Sequence, residues 1–161
     1  MQHGAAWKAE GKLFGSVASV VIAGEKVLLF KPATFMNESG KGVRAVAQFY
    51  KIPLNETLVV HDELDLDPGV ARLKFDGGHG GQNGLRDIIR VFGGDTKFHR
   101  LRVGIGHPGH KDRVVGYVLS KPNAGDTDKI LDAIISAADV MDLVVAGNFM
   151  DAMTKLHTQT K

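Results

Sequence analysis

Hydrophobic and polar residues follow two different periods along this chain of 161 residues. Some segments alternate or form short apolar runs, as β-strands do, whereas others place apolar residues at helical spacing. The strand-like segments are residues 17–30, 57–62, 69–75 and 99–106. The helix-like segments are residues 39–51, 83–93, 126–145 and 149–157. Because strands and helices interleave, the pattern predicts one α/β domain with three layers, in which helices cover both faces of a mixed, twisted sheet.

Residues that favour turns and helix ends sharpen this prediction. Gly24 divides the first apolar run, so residues 17–30 are predicted to form a β-hairpin. Ser39 and Asn83 precede helical patterns and are predicted to be N-caps, and Gly93 is predicted to end the helix that Asn83 begins.

Composition limits the chemistry that the chain can perform. The sequence is 43% hydrophobic and 24% charged, which suits a water-exposed globular domain, and no apolar run has the roughly 20 residues of a membrane span. It contains no cysteine, which excludes disulfides, thiolate catalysis and cysteine-based metal sites. Residues 72–121 contain ten Lys or Arg against four Asp or Glu. This basic segment is either a surface for a polyanion or an ordinary solvated face.

A glycine-rich stretch, FDGGHGGQNGLRDII at residues 75–89, leads into a predicted helix. Glycines allow backbone N–H groups to approach a ligand, and the first turn of a helix offers unpaired N–H donors. Together these features favour a site for an anion or a carbonyl group, although a simple flexible loop fits as well. The stretch lacks the Gly-Lys-Ser/Thr ending of a nucleotide-binding P-loop.

Two further segments contain residues suited to a binding or catalytic site. HDELDLDPG at 61–69 would supply metal ligands, a carboxylate that orients a catalytic histidine, or only an acidic turn. In KPATFMNESGKG at 31–42, Phe35 and Met36 stand beside the amide Asn37. Together the three residues indicate a groove that binds an extended chain. Alternatively, Phe35 and Met36 are an apolar pair that fills the core.

Three long segments resemble the bacterial peptidyl-tRNA hydrolase family in order and spacing. They are KPATFMNESGKGV, VVHDELDLDPGVARLKFDGGHGGQNGLRDII and FHRLRVGIGHPGHKDRVVGYVLSKP. The resemblance implies a carboxylic ester hydrolase of translation that cleaves the ester between a peptide and the 3′ ribose of tRNA. It further implies a cytoplasmic monomer that needs no metal or cofactor and has peptidyl-tRNA, not a membrane, as its partner.

The resemblance also implies roles for individual residues. Asp62 matches the carboxylate that orients and stabilises the catalytic histidine. The other matched positions bind the substrate or tRNA. Phe35, Met36 and Asn37 hold the substrate end, Gly80 and Asn83 line the wall beside the scissile ester, and Arg102 and Lys111 contact tRNA phosphates.

One part of the family pattern is absent from the sequence. The family has a first strand that leads into a Gly-(Asn/Leu)-Asn-Pro-Gly turn, followed by an Arg-His-Asn motif that supplies the general base, and neither motif occurs here. By resemblance, the chain begins about thirty residues late, and we expect it to lack that strand and most of the activity that the base provides. Two alternatives to a hydrolase remain open at this stage: a non-catalytic RNA-binding relative, and a metal-dependent hydrolase that uses the acidic segment.

Overall fold

The computed structural model describes residues 5–109 and 122–160, and these divide into two units. The first unit contains the described residues up to Leu58 together with Phe75–His99. The second contains Val59–Lys74 and the described part of Arg100–Lys161. In these described ranges, no helix is both long enough and apolar enough to cross a bilayer.

An antiparallel sheet forms the base of the first unit. Its strands are β1 (Lys8–Glu10), β2 (Gly15–Ile22) and β3 (Glu25–Pro32), in that order. Ile22 pairs with Glu25, so the hairpin between β2 and β3 closes through two residues. Both of these, Ala23 and Gly24, have positive φ, as the tight turn that suits twisted strands requires. The predicted hairpin is therefore confirmed, whereas β1 had no clear signal in the sequence.

Two helices complete the first unit, α1 (Ser39–Phe49) and α2 (Asn83–Val91). Helix α1 packs on the hairpin through apolar side chains and also packs against α2. The apolar cluster contains Leu13, Val17 and Val46, with Leu28, Phe30, Ala45 and Tyr50 packed against it. Burial of this stripe fixes the rotation of α1, and the rotation determines which of its backbone groups meet α2.

A second sheet has three strands in the order β4–β6–β5. Their bounds are Leu58–Glu63 for β4, Ala71–Phe75 for β5 and His99–Gly104 for β6. The N–H groups of His99 and Ile105 donate to Thr57 and Glu63, in the same order along both strands, so β6 and β4 are parallel. The bonds that join β6 to β5 run in the reverse order, from Gly104 N to Val70 O and from Asp76 N to Phe98 O. The predicted mixed sheet is confirmed.

The second unit ends in helices α3 (Ala124–Asp139), α4 (Met141–Val145) and α5 (Phe149–Gln159). The prediction of one continuous helix over 126–145 is wrong. The helix begins earlier because Asn123 accepts the N–H of Asp126 at 2.7 Å and caps it. It breaks at the fully buried Val140, whose φ of −101° and ψ of 1° are not helical.

Side chains from the end of the chain cover β5, an edge strand of the second sheet. The Thr160 hydroxyl accepts the N–H of Ala71 at 3.1 Å and donates to its carbonyl at 2.9 Å. His157 Nε2 accepts the N–H of Leu73 at 3.0 Å. These backbone groups of the edge strand β5, which could otherwise pair with another strand, are therefore hydrogen-bonded within the unit.

Candidate active site

The segment after β3 presents two apolar side chains and an amide to solvent. Phe35 is extended, and a short 3₁₀ turn over Met36–Glu38 follows it, closed by the bond from Glu38 N to Phe35 O at 2.8 Å. Phe35 is 81% exposed and Met36 is 53% exposed. The interpretation of these two residues as core filling is therefore wrong, and their exposure is compatible with binding a chain.

The glycine-rich loop is held by its own polar side chains. Asp76 Oδ1 accepts the N–H of Gly77 at 2.6 Å, and His79 Nδ1 accepts the N–H of Gly81 at 2.9 Å. Gly80 has a φ of +57° and is exposed, with open space where a Cβ would lie. The loop thus leaves unobstructed backbone at Gly80.

The prediction that Asn83 caps α2 is wrong. Gln82 is the N-cap, because its Oε1 accepts the N–H of Leu85 at 2.8 Å, and Asn83 is the first helical residue. Ser39 is likewise the first residue of α1 and not its cap. Since Gln82 takes the capping role, the carboxamide of Asn83 is not needed to stabilise the helix.

Contacts between the two segments bring Met36 against the start of α2. Met36 Sδ lies 3.6 Å from Gln82 Nε2 and 3.7 Å from Ser39 Oγ. A Cβ added to Gly84 would lie 2.7 Å from the same sulfur, so a side chain at position 84 would displace Met36. We call the surface formed by Phe35–Asn37 and Gly80–Asn83 the amide wall.

Two amides of the amide wall are available for a ligand. Asn37 and Asn83 are both exposed. Neither carboxamide has a hydrogen-bond partner among residues 5–109 and 122–160. Each carboxamide can both donate and accept, so the pair can bind a peptide group or a developing oxyanion.

The second unit holds the acidic segment at the end of β4. Asp62 is half-buried, and its carbonyl accepts the Nδ1–H of the neighbouring His61 at 2.9 Å. Burial lowers the pKa of His61, because desolvation disfavours the charged ring, and the hydrogen bond to Asp62 opposes this effect only in part. His61 is therefore a buried neutral histidine with its Nδ1 proton already donated.

Of the two residues predicted to contact phosphate, the structure describes only Arg102. Arg102 Nε donates to Glu63 Oε1 at 2.9 Å, in a pair whose side chains are 26% and 18% exposed. Arg102 is thus half-buried and paired within the second unit. Lys111 lies outside the described residues.

The metal-site alternative gains no support from the structure. Among the described residues, no three His, Asp or Glu side chains converge as metal ligands would. Glu63 of this segment instead accepts the N–H of Asp65 at 3.3 Å and pairs with Arg102.

Comparisons with known proteins agree on one family. The family model described as "Peptidyl-tRNA hydrolase" matches residues 1–161. The chain is 65% identical to a peptidyl-tRNA hydrolase of Stenotrophomonas maltophilia strain K279a, over 96% of this chain and 80% of that protein. It is 60% identical to one from Xanthomonas euvesicatoria, over 99% of this chain and 82% of that protein.

Solved structures agree with the sequence comparisons. The crystal structure of peptidyl-tRNA hydrolase from Acinetobacter baumannii superposes with a TM-score of 0.94 at 43% identity, covering 99% of this chain and 80% of that one. This match confirms the predicted α/β fold class. Because the relatives bear the name of a hydrolase, the comparisons do not favour the non-catalytic RNA-binding alternative.

Proposed function

Because this chain belongs to the peptidyl-tRNA hydrolase family, we propose that it hydrolyses the ester bond between peptide and tRNA in peptidyl-tRNA. The observation that supports this most directly is the match of the family model to the whole chain. The substrate arises in translation, which assigns the proposed reaction to the cytoplasm. The amide wall lies within one chain, so a monomer supplies it completely.

The reaction needs a hydrogen-bond donor that stabilises the negative charge developing on the ester carbonyl oxygen. Water adds to the ester carbonyl carbon, the carbonyl oxygen becomes an oxyanion, and the bond to the ribose 3′ oxygen then breaks as that oxygen gains a proton. In this proposal Asn83 Nδ2 donates to the oxyanion, and Asn37 hydrogen-bonds the peptide backbone. Phe35 and Met36 contact the apolar part of the peptide, and the open backbone of Gly80 allows the substrate to approach.

Water attack near neutral pH also needs a general base, and histidine is the side chain best suited to that role. We propose that Asp62 orients such a histidine, as its match to the family implies. His61 does not suit the role, because its ring is buried and its Nδ1 proton is donated to the backbone. The Arg-His-Asn motif does not occur in the 161 residues. The rate of peptidyl-tRNA hydrolysis by this chain therefore measures the catalysis that Asp62 and the amide wall provide without that motif.

Release of labelled peptide from peptidyl-tRNA tests the proposal. The purified chain should release peptide faster than spontaneous hydrolysis, and EDTA should leave this rate unchanged. Aminoacyl-tRNA with a free amino group is the matched substrate, because it retains the ester but offers no peptide group to Asn37. A folded chain that binds tRNA yet releases peptide only at the spontaneous rate would overturn the hydrolase proposal.

A further inference from the structure

The start of helix α1 has no capping side chain of its own. Glu38 occupies the N-cap position but makes no capping hydrogen bond, although the first N–H groups of a helix need partners. The N–H of Gly40 instead donates to Asp87 Oδ2 at 2.7 Å, in a buried contact with a residue 47 positions later. A carboxylate at this end also meets the positive end of the helix dipole.

Asp87 uses its two carboxylate oxygens for different partners. Oδ2 accepts from Gly40, while Oδ1 accepts from Arg90 Nη2 at 2.7 Å and from Arg90 Nε at 3.1 Å. The Asp87 side chain is 7% exposed, whereas that of Arg90 is 71% exposed. One oxygen of the buried carboxylate therefore pairs with the positive charge of Arg90, and the other accepts a hydrogen bond from the α1 backbone.

Glycine at position 40 makes this contact possible. A Cβ added there would lie 2.6 Å from the Asp87 carbonyl oxygen and 2.7 Å from Val91 Cγ2. These distances are shorter than van der Waals contact, so the backbone of α1 reaches α2 only without a side chain. The bond between Asp87 and Gly40 thus fixes the start of α1 against α2.

Both amides of the wall lie close to this bond along the chain. Asn37 is three residues before Gly40, and Asn83 is four residues, about one helical turn, before Asp87. One hydrogen bond consequently joins the turn that carries Asn37 to the helix that carries Asn83. We propose that Asp87 is a positioning residue for the hydrolysis proposed above, because it sets the spacing of the two substrate-facing carboxamides.

Three variants separate positioning from a general effect on folding. Asp87→Ala removes the bond to Gly40, whereas Asp87→Asn retains an acceptor for the same N–H. Asp95→Ala is the matched control, because Asp95 also accepts a backbone N–H, from Lys97 at 2.9 Å, but at an exposed site. Amide hydrogen exchange and kinetics are measured at a temperature where all three variants are folded.

Asp87→Ala should speed exchange in residues 35–40 at least tenfold and lower kcat/KM by about tenfold to a hundredfold, as small displacements of positioned groups do. Asp87→Asn should stay within about threefold of the parent, and Asp95→Ala should match it. In an Asn37→Ala background, Asp87→Ala should cost less than about threefold, because the amide that it positions is gone.

Two results would overturn the inference, and both are distinct from failure of the proposed function. Exchange in residues 35–40 that Asp87→Ala leaves unchanged would show that the bond does not hold the turn. An active parent whose kcat/KM survives Asp87→Ala within twofold would show that the spacing does not matter. A parent without hydrolysis would instead refute the proposed function, while the exchange measurement would still decide whether Asp87 holds the turn.

Discussion

Two pairs of polar side chains, one pair in each unit, are presented in opposite ways. In the first unit, Asn37 and Asn83 are neutral and exposed, and contacts behind them hold the backbone. In the second unit, Glu63 and Arg102 are charged, half-buried and already paired. A neutral amide can face solvent without a protein partner at little cost, whereas a half-buried charge cannot. Asn37 and Asn83 are therefore suited to hydrogen-bond a substrate, while Arg102 must exchange partners before it binds a phosphate.

The largest expected effect comes from the amide assigned to the oxyanion. Asn83→Ala should lower kcat/KM by roughly 10²–10³-fold, the usual loss for one oxyanion donor. Asn55→Ala is the matched control, since Asn55 lies exposed in a 3₁₀ turn of the same unit. Steady-state kinetics with peptidyl-tRNA measures both variants. Equal activity of the two would remove Asn83 from the reaction and leave the amide wall with a binding role at most.

The second effect concerns the contacts that hold the wall. Gly40→Ala should lower the free energy of unfolding by about 1–3 kcal/mol, because the new methyl group meets the Asp87 backbone. The better helix propensity of alanine offsets up to about 1 kcal/mol of this loss. Gly11→Ala is the control, since a Cβ at Gly11 has no atom within 4 Å. Urea denaturation compares the variants, and equal stability would mean that the two helices separate easily.

The sequence predicted the elements of the fold better than their junctions. The hairpin of β2 and β3 followed from two apolar runs divided by Gly24, and both are local properties. The predicted cap of α2 is one residue too late, because Asn is a more common N-cap than Gln. Gln82 caps the helix with an acceptor carried on a longer side chain. The sequence pattern does not predict the break at Val140, because helical periodicity continues on both sides of it.

The sequence pattern does not predict which polar residues far apart along the chain pair with each other. Nothing local relates Asp87 to Gly40, and the aspartate alone resembles any polar residue on a helix. The family resemblance implies a phosphate contact for Arg102, but a single sequence does not reveal that β4 brings Glu63 beside it. Polar partners of this kind depend on strand order and helix packing, which periodicity does not encode.

The third effect tests whether the charged pair of the second unit can bind RNA. Arg102→Ala should weaken tRNA binding and flatten the plot of log affinity against log salt by about one ion. Glu63→Gln should strengthen binding, because it frees the guanidinium from its carboxylate partner. Lys155→Ala, on an exposed face of α5, controls for loss of one positive charge. If neither Arg102→Ala nor Glu63→Gln changes the salt dependence, the ion pair is purely structural.

The smallest effect concerns pH and the side chains that cover β5. Partial burial and the nearby charges of Arg72 and Arg102 lower the pKa of His157, although its bond to Leu73 opposes them. Protonation therefore favours the unfolded chain, in which the histidine pKa is about 6.5. The stability that His157 provides is present above pH 6.5 and is lost as the pH falls from there through the lower folded pKa.

His157→Gln should reduce this pH dependence, because glutamine offers a neutral acceptor to Leu73 N–H at every pH. Urea denaturation between pH 5 and 8 should give a smaller loss of stability for the variant than for the parent. Some dependence should remain, since burial also lowers the pKa of His61. Asn37 and Asn83 do not titrate, so the acid effect expected here does not act through the amides of the wall. A variant with the same pH profile as the parent would mean that His157 contributes nothing to holding β5.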